Sequence, residues 1–278
     1  MPPRSTIRQA SRRCVSSAPK TACSSYLRRA TAGWLLFLRD GSLLAQLFDP
    51  AKLSLSGNPE PVPARVGMAF QSPLFAASRD LLAYRSGGQR NDVQLTWVDG
   101  KTGKPVGTAG EPGVITAFRL APDETRVVYA KENADRHTDL WIVDLVRGGS
   151  TRLTFGGADY DFPVWSADSS EVVFGRNASG EWEIFRKKAD GGGAETLVLR
   201  ERQSLRPQSW SKDGRFLLYT RSNSAGTSAQ SIAVLPMEKG AEAFPFSANG
   251  AASETSAQFS PDGRYIAYVS EETGTVEV

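Results

Sequence analysis

Short apolar runs alternate with polar segments along most of the chain, and the same order returns about every 45 residues. The clear copies begin at an aromatic residue, pass through a polar segment and end in a run rich in Val, Leu, Phe and Tyr. They read FRLAPDETRVVYA from Phe118, WSADSSEVVFG from Trp165, WSKDGRFLLYT from Trp210 and FSPDGRYIAYV from Phe259. Such runs between turn residues indicate β-strands, whereas helical repeats would space apolar residues by about 3.6 positions. The pattern therefore predicts a repeated all-β unit.

An aromatic residue occupies the same position of the apolar run in every copy. Two weaker copies, FAASRDLLAYR from Phe75 and GWLLFLR from Gly33, extend the alignment towards the N-terminus. A unit of this length accommodates four short strands with their turns. The resulting structural column is spaced by 45 to 49 residues and consists of Phe37, Tyr84, Tyr129, Phe174, Tyr219 and Tyr268.

The unit that begins at Ser204 illustrates the predicted strand order. A first strand at 208–211 and a second at 216–221 flank a turn at Gly214, because glycine accepts the positive φ that tight hairpins require. A third strand follows at 232–235 and a fourth around 243–246. Repetition of this unit predicts an all-β fold, a six-bladed β-propeller of four-stranded antiparallel blades, in which sheet edges stay short and protected.

Two of the turns depart from the repeat. Ser169-Ser170 and Glu124-Thr125 stand where other copies have Gly-Arg. A residue with a Cβ enters the left-handed region at a steric cost. We therefore expect these two turns to be looser or of another type.

The repeat assigns residues 33–278 to the propeller, and both of its ends are incomplete. The first copy has no inner strand before Gly33, and the last copy stops before its third strand. Two organisations fit this count, a six-bladed ring with deficient blades and a fragment of a larger ring, and the strand count favours the fragment. Residues 1–32 contain seven Lys and Arg and no acid, and they form a basic disordered tail or reflect a mis-called start.

Charge and composition exclude several functions. The formal charge is +3, so without the basic tail the propeller body is mildly acidic, which argues against nucleic-acid binding. No apolar run approaches the roughly 20 residues of a membrane-spanning helix. A single His, His137, and two Cys, Cys14 and Cys23, leave little material for catalytic dyads or soft-metal sites, and no G-x-S-x-G elbow occurs. The sequence thus predicts no cofactor, no metal site and no catalytic residue.

The segments WSKDGRFLLYT and FSPDGRYIAYVS resemble the TolB-like, WD40-like (PD40-type) propeller repeat family, whose blades carry a W/F-S-P-D-G-R core. The resemblance covers about residues 33–278 and includes the passage from Leu153-Thr154-Phe155 to Pro163. The segments GWLLFLRDGSLLAQLFDP and DLWIVDLVRGGSTRLTF resemble propeller regions attached to bacterial serine/threonine protein kinases. That resemblance implies a bacterial, periplasmic or otherwise extracytoplasmic sensor or interaction platform. No signal peptide is visible, so the localisation stays open.

Loops between blades, and loops between second and third strands, are expected to emerge on one face of the propeller. Aromatic and arginine side chains dominate binding hot spots, so this face supplies the candidate binding residues. Two of these residues have a structural alternative, because Trp182 could pack against its own blade and Asp161 could hydrogen-bond the backbone. The full set is Tyr160, Asp161, Phe162, Arg202, Arg206, His137 and Trp182.

These patterns predict a non-enzymatic module that binds a protein or peptide, as a sensor or scaffold domain or as a fragment of a larger receptor. The alternative is the propeller region of an enzyme, a serine/threonine kinase or a propeller-bearing peptidase, whose catalytic domain lies outside this chain. An enzyme that uses the channel for a polysaccharide or small ligand is disfavoured by the single His.

Overall fold

The regular elements of the described chain are all β-strands in antiparallel sheets, which confirms the predicted all-β class. Within the same part of the chain there is no helix with the length and apolarity that crossing a membrane requires. The computed structural model describes residues 23–28, 33–39, 42–49, Lys52, 54–62, Val66, 68–69, 72–73, 75–77, 81–84, 92–99, 104–222, 230–246, 252–274 and Glu277.

The N-terminal strands form two four-stranded sheets and a short hairpin. The first sheet contains β1 (Cys23–Arg28), β2 (Gly33–Arg39), β3 (Ser42–Asp49) and β4 (Ser54–Pro61). The hairpin consists of β5 (Met68–Ala69) and β6 (Ser72–Pro73). The second sheet contains β7 (Phe75–Ala77), β8 (Leu81–Tyr84), β9 (Val93–Asp99) and β10 (Pro105–Gly113).

The remaining strands form four further sheets. The third contains β11 (Ile115–Leu120), β12 (Arg126–Glu132), β13 (Thr138–Asp144) and β14 (Ser150–Arg152). The fourth contains β15 (Asp159–Trp165), β16 (Glu171–Asn177), β17 (Trp182–Lys188) and β18 (Thr196–Leu199). The fifth contains β19 (Ser204–Trp210), β20 (Phe216–Ser222), β21 (Gln230–Pro236) and β22 (Phe244–Pro245), and the sixth contains β23 (Glu254–Phe259) and β24 (Ile266–Ser270).

The sheets are arranged as the blades of a propeller. Within each sheet the strands lie side by side in chain order. The first strands contact one another in succession, β1 with β7, β7 with β11, β11 with β15, β15 with β19 and β19 with β23, and β23 also contacts β1. These inner strands therefore surround a central channel, as in a β-propeller. The six-bladed count of the complete ring stays a prediction, because the sixth sheet is described by two strands.

Strand β1 lies in the segment that the sequence assigned to a disordered tail. Its backbone pairs with β2, from Cys23 opposite Phe37 to Arg28 opposite Gly33. Residues 23–28 thus differ from that expectation, because they supply the inner strand that the repeat alignment did not find before Gly33. Residues 1–22 lie outside the described part of the chain.

The core lies between successive blades. Leu140 of the third sheet packs in one cluster with Tyr160 and Phe174 of the fourth sheet. Val164 of the fourth sheet packs likewise with Tyr219 of the fifth. Burying one large apolar side chain stabilises a fold by about 1.5–3 kcal/mol, so these contacts join neighbouring blades firmly. In the aromatic column, the buried members are Phe37, Tyr129, Phe174 and Tyr219, and the half-buried ones are Tyr84 and Tyr268.

The turns between inner and second strands share one conformation. Gly214 and Gly263 have φ values of 72° and 69°, and each donates its N–H to the carbonyl three residues earlier at 2.8–2.9 Å. Ser169 and Glu124 have φ values of 60° and 59° and make the same bond at 2.9–3.0 Å. The expectation of looser or different turns is therefore wrong, because both residues adopt the left-handed conformation of the glycines they replace.

Candidate functional site

The inner strand of the fourth blade, β15, is distorted beside the channel. Its pairing with β16 shifts register between Asp161 and Val164, and Phe162 has a φ of 55°. Pro163 carries no N–H, so the ladder already lacks a donor where the register shifts. A β-bulge re-aims the side chains around it, and this one determines where Asp161 and Phe162 point.

Asp161 is a buried carboxylate, with 4% of its surface exposed. It accepts a hydrogen bond from the N–H of Phe162 at 2.7 Å, which is the structural alternative weighed from the sequence. Burial raises the pKa of this carboxyl to about 6, against the opposing effects of that hydrogen bond, of the Thr116 hydroxyl and of two guanidinium charges. The two cations are Arg119 and Arg206, so Asp161 belongs to a charged group in the channel.

Arg119 lies on β11, the inner strand that contacts β15. Its side chain is exposed to solvent, yet burial within the protein lowers the pKa of the guanidinium, while the charge of Asp161 acts in the opposite direction. One Nη donates to the carbonyl of Phe118 at 2.9 Å, and among the described residues no carboxylate forms an ion pair with Arg119 within 4.0 Å.

Arg206 lies on β19, on the other side of β15, and joins an aromatic stack. Its guanidinium carbon is 5.2 Å from the centroid of the Phe162 ring, and that ring meets Trp182 edge to face with centroids 5.0 Å apart. A Cβ on Gly175 would come within 3.0–3.1 Å of Trp182 and Phe162, so this glycine leaves the space for the stack. Trp182 therefore packs against its own blade, and Phe162 connects it to the next one.

The sequence places Tyr160 on a recognition surface, but in the structure its side chain is buried. Only 1% of it is exposed, and its ring meets Phe174 edge to face at 5.9 Å. Its hydroxyl donates to the carbonyl of Phe155 at 2.8 Å. Successive residues of a strand point to opposite faces of the sheet, so Asp161 lies on the face of β15 opposite to Tyr160.

His137 and Arg202 lie apart from the stack. His137 Nδ1 is 3.2 Å from Asp159 Oδ1, which also accepts the N–H of Thr138 at 3.1 Å. This pair joins the β12–β13 loop to the start of β15. Arg202 is exposed in the loop before β19. The structure thus brings together Asp161, Phe162, Arg206 and Trp182 of the predicted set.

Sequence reasoning did not single out Arg119. When the copies are aligned on the aromatic column, Arg119 occupies the position of Val164, Ser209 and Gln258. An arginine in a column that otherwise holds neutral residues is the signal that could have found it. No group of three or more His, Cys, Asp or Glu suited to a metal ion occurs among the residues that the structure describes.

Known proteins match this chain over most of its length. The family model of the TolB beta propeller domain, PD40, matches residues 58–274. A TolB-type protein from Agrobacterium tumefaciens has a similar structure, with a TM-score of 0.65 at 17% identity over 90% of this chain and 91% of that one. TolB from Acinetobacter baumannii gives a TM-score of 0.57 at 13% identity over 92% of this chain and 56% of that one. At these identities the structural likeness concerns the fold alone.

A sequence relative covers a shorter segment. The uncharacterized peptidase YuxL of Bacillus subtilis (strain 168) is 30% identical over 120 residues. The match includes 41% of this chain and 18% of that protein, so it spans only a small part of this relative's length.

Proposed function

The chain belongs to the TolB β-propeller domain family, and from this premise we propose that it is a non-enzymatic module that binds a protein or peptide at the mouth of its central channel. The observation that carries the proposal is the stack of Phe162, Trp182 and Arg206. Tryptophan and arginine are among the residues most enriched in binding hot spots. The stack therefore offers the side-chain chemistry that a protein partner uses.

The strands hold this stack in place before any ligand arrives. Phe162, Trp182 and Arg206 lie on β15, β17 and β19, and all three are half-buried, so each is fixed on one side and accessible on the other. A pre-ordered site loses little conformational entropy on binding. Exposed Arg202 and the pair His137–Asp159 lie at the same end of the inner strands and form the polar rim of the proposed surface.

The proposal is tested by selecting ligands and then removing the stack's cation. A phage-displayed library of random linear peptides is panned on the purified chain, and the enriched peptides are measured by calorimetry. Replacement Arg206→Ala is expected to weaken their binding by about tenfold or more, which corresponds to about 1.4 kcal/mol.

The matched control is Arg147→Ala, which removes an exposed arginine from the turn after β13 at the other end of the blades. It should leave the dissociation constant unchanged, and both variants should keep the thermal unfolding midpoint of the parent chain. A library that yields no sequence-specific binder, or binders indifferent to Arg206→Ala, contradicts the proposal.

A second candidate is the propeller region of a peptidase. The similarity to the uncharacterized peptidase YuxL favours it. Sequencing the source locus on both sides provides the test. An in-frame continuation into a domain with a Ser-His-acid triad supports this candidate, and independent start and stop codons next to these residues contradict it.

A further inference from the structure

The outermost strand of the fourth blade, β18, has an open backbone edge. It consists of Thr196, Leu197, Val198 and Leu199 and is the last strand of its sheet. In the described part of the chain no strand pairs with its second edge. Such an edge presents N–H and C=O groups that can form a ladder with another extended chain. All four residues are exposed or half-buried, so a partner can reach the strand.

The outermost strands of the other four-stranded sheets contain residues that hinder such pairing. Proline lacks the N–H of a ladder, and charged or very short edge strands pair poorly with a second chain. Prolines occur in β4, β10 and β22, and β14 has three residues and ends in an arginine. A register shift beside Val198 interrupts the ladder of β18 with β17, and β4 and β10 have similar shifts. Unlike those strands, β18 contains no proline, glycine or charged residue.

Ion pairs hold both ends of β18 in place. Before the strand, Glu195 Oε2 lies 3.8 Å from Arg176 Nε and accepts the hydroxyl of Tyr160 at 3.5 Å. After the strand, two nitrogens of Arg200 donate to the carboxylate of Glu183 on β17. Pairs of this kind contribute about 0–1 kcal/mol each, so they limit fraying of a strand that the ladder already forms. An edge that is ordered beforehand loses little conformational entropy when a second strand pairs with it.

Two exposed apolar side chains lie beside this edge. Phe155 and Leu197, which are 59% and 43% exposed, are two of the five large hydrophobic residues exposed in the described part of the chain. Leu197 lies opposite Phe185 of β17 and shares a face of the sheet with it. Lys187 is two residues further along β17 on the same face, and its Nζ is 5.5 Å from the centroid of the Phe155 ring. Both side chains therefore border the same side of the fourth blade.

The cations around Phe155 are already bound within the protein. The guanidinium carbon of Arg152 is 5.0 Å from the centroid of the Phe155 ring, and one Nη donates to Asp139 at 2.7 Å. Lys187 donates to the carbonyl of Leu153 at 2.9 Å. These contacts fix the ring and occupy the charges, so the surface beside β18 favours an apolar side chain over an acidic one.

We propose that the outer edge of β18 binds an extended segment of a partner protein as a fifth, antiparallel strand of the fourth blade. This site is separate from the proposed channel-mouth function and does not depend on it. Main-chain hydrogen bonds supply affinity, and an apolar side chain of the added strand covers Leu197 and Phe155. A second copy of the chain fits less well, because four residues extend only about 13 Å. A stable dimer interface buries about 1,200–2,000 Å².

The experiment uses a peptide with the sequence of β17, because β17 already forms a ladder with β18. The probe is acetyl-Trp-Glu-Ile-Phe-Arg-Lys-Lys-amide. Calorimetry with the full chain measures its dissociation constant, and amide hydrogen exchange followed by nuclear magnetic resonance locates it. The peptide should bind saturably and slow the exchange of amides within residues 196–199.

Two N-methylated peptides separate a backbone ladder from side-chain contact. One carries methyl groups on the amides of its second, fourth and sixth residues, and the other on those of its third, fifth and seventh. Their side chains are identical, but alternate N–H groups of a strand point to opposite edges. One peptide should bind as the parent peptide does, and the other should bind about tenfold more weakly or worse. Equal affinities of the two peptides overturn the proposal.

Variants of the chain test the same edge from the other side. Leu197→Lys places a charge on the strand at an exposed side chain and should weaken binding by about tenfold or more. Phe155→Ala should weaken it several-fold. The matched control is Val106→Lys, which changes an exposed apolar residue of the outermost strand β10 and should leave the dissociation constant unchanged. The N-methylated peptides decide the question even if Leu197→Lys lowers the thermal midpoint.

Slowed exchange in β15 or β19 instead of β18 would assign the peptide to the channel mouth and contradict the edge site. Self-association that Leu197→Lys abolishes, in a chain that does not bind the peptide, would identify a second copy as the occupant and also contradict it. The outcome for the broader function is read separately. If library-selected peptides bind through Arg206 while the β17 peptide does not bind, the edge assignment is wrong and the channel-mouth function stands.

Discussion

Glu124 is held in a backbone conformation that glycine adopts elsewhere in the molecule. Its φ is 59°, and its side chain is exposed. A left-handed conformation costs an L-residue about 1–2 kcal/mol, and a glycine in its place removes this cost. Glycine also increases the conformational entropy of the unfolded chain, which cancels part of the gain. We therefore expect Glu124→Gly to raise the free energy of unfolding by about 0.5–1 kcal/mol, measured by urea denaturation.

Ser169→Gly provides the comparison. Ser169 has the same conformation, but its hydroxyl accepts the N–H of Asp123 at 3.1 Å across the blade boundary. Losing that bond offsets the relief of strain, so this variant should gain less than Glu124→Gly. A Glu124→Gly protein no more stable than its parent would show that the turn carries no strain.

Asp161 gives the molecule a pH-dependent stability of known sign. Burial raises the folded pKa of Asp161 to about 6, above the ordinary aspartate value of 3.8, so the folded state binds the proton more tightly and stability falls as the pH rises between these values. Asp161→Asn removes the ionisation. It should match the parent near pH 4 and exceed it at pH 8 by up to about 3 kcal/mol in urea denaturation. A difference that stays constant with pH would contradict this.

The candidate site was only partly predictable at the level of residues. Residue type and loop position placed Phe162, Trp182 and Arg206 in the candidate set, and the structure brings the three together in one stack, while their role in binding stays a prediction. Residue type and loop position did not reveal that Tyr160 is buried. The direction of the side chains in β15 depends on its bulge, and the bulge arises from the pairing with β16, which the sequence of one strand does not show. Arg119 was missed because the repeat motif around it had already been assigned to packing.

At the scale of elements, one glycine sets the distance between β16 and the aromatic stack. A Cβ on Gly175 would lie 3.0 Å from Trp182 and 3.1 Å from Phe162. Overpacking of this kind typically costs about 1–3 kcal/mol. Gly175→Ala should therefore lower the thermal midpoint and also weaken binding of any ligand that uses the stack.

Gly107→Ala on β10 is the matched control. Its Cβ would meet Trp97 at 3.9 Å, an ordinary contact, and its φ lies outside the left-handed region. This change should alter the free energy of unfolding by less than about 0.5 kcal/mol. Equal effects of the two substitutions would mean that glycine flexibility, and not the stack, decides the outcome.

At the scale of the whole molecule, the repeat predicted the four-stranded blades, and it did not reveal the strand that precedes Gly33. The period and the apolar runs carry the fold, because each blade buries its faces against its neighbours with the same residue types. The strand Cys23–Arg28 has no such motif, and only its pairing with β2 shows that it completes the first sheet. The repeat motif starts at residue 33, whereas the pairing of β1 with β2 suggests a start at residue 23, and the domain boundary stays a prediction.

Two truncations test that boundary. A chain that starts at residue 33 lacks β1 and exposes the backbone of β2, so we expect it to lose several kcal/mol of stability and to aggregate in size-exclusion chromatography. A chain that starts at residue 23 keeps β1 and should unfold at the urea concentration of the parent. Equal stability of the two truncated chains would assign residues 23–28 to a dispensable tail.

The way the first and last sheets meet has a mechanical consequence. Within the described residues each sheet is built from one continuous stretch of chain, and β1 and β23 touch without sharing a backbone ladder. Force applied between β1 and β24 therefore loads a seam that no backbone ladder crosses, while hydrogen-bonded strands inside a blade bear load together. Under tension we expect the ring to open between β1 and β23 first. The blades should then unfold one after another, and each should add one step to the extension of the chain.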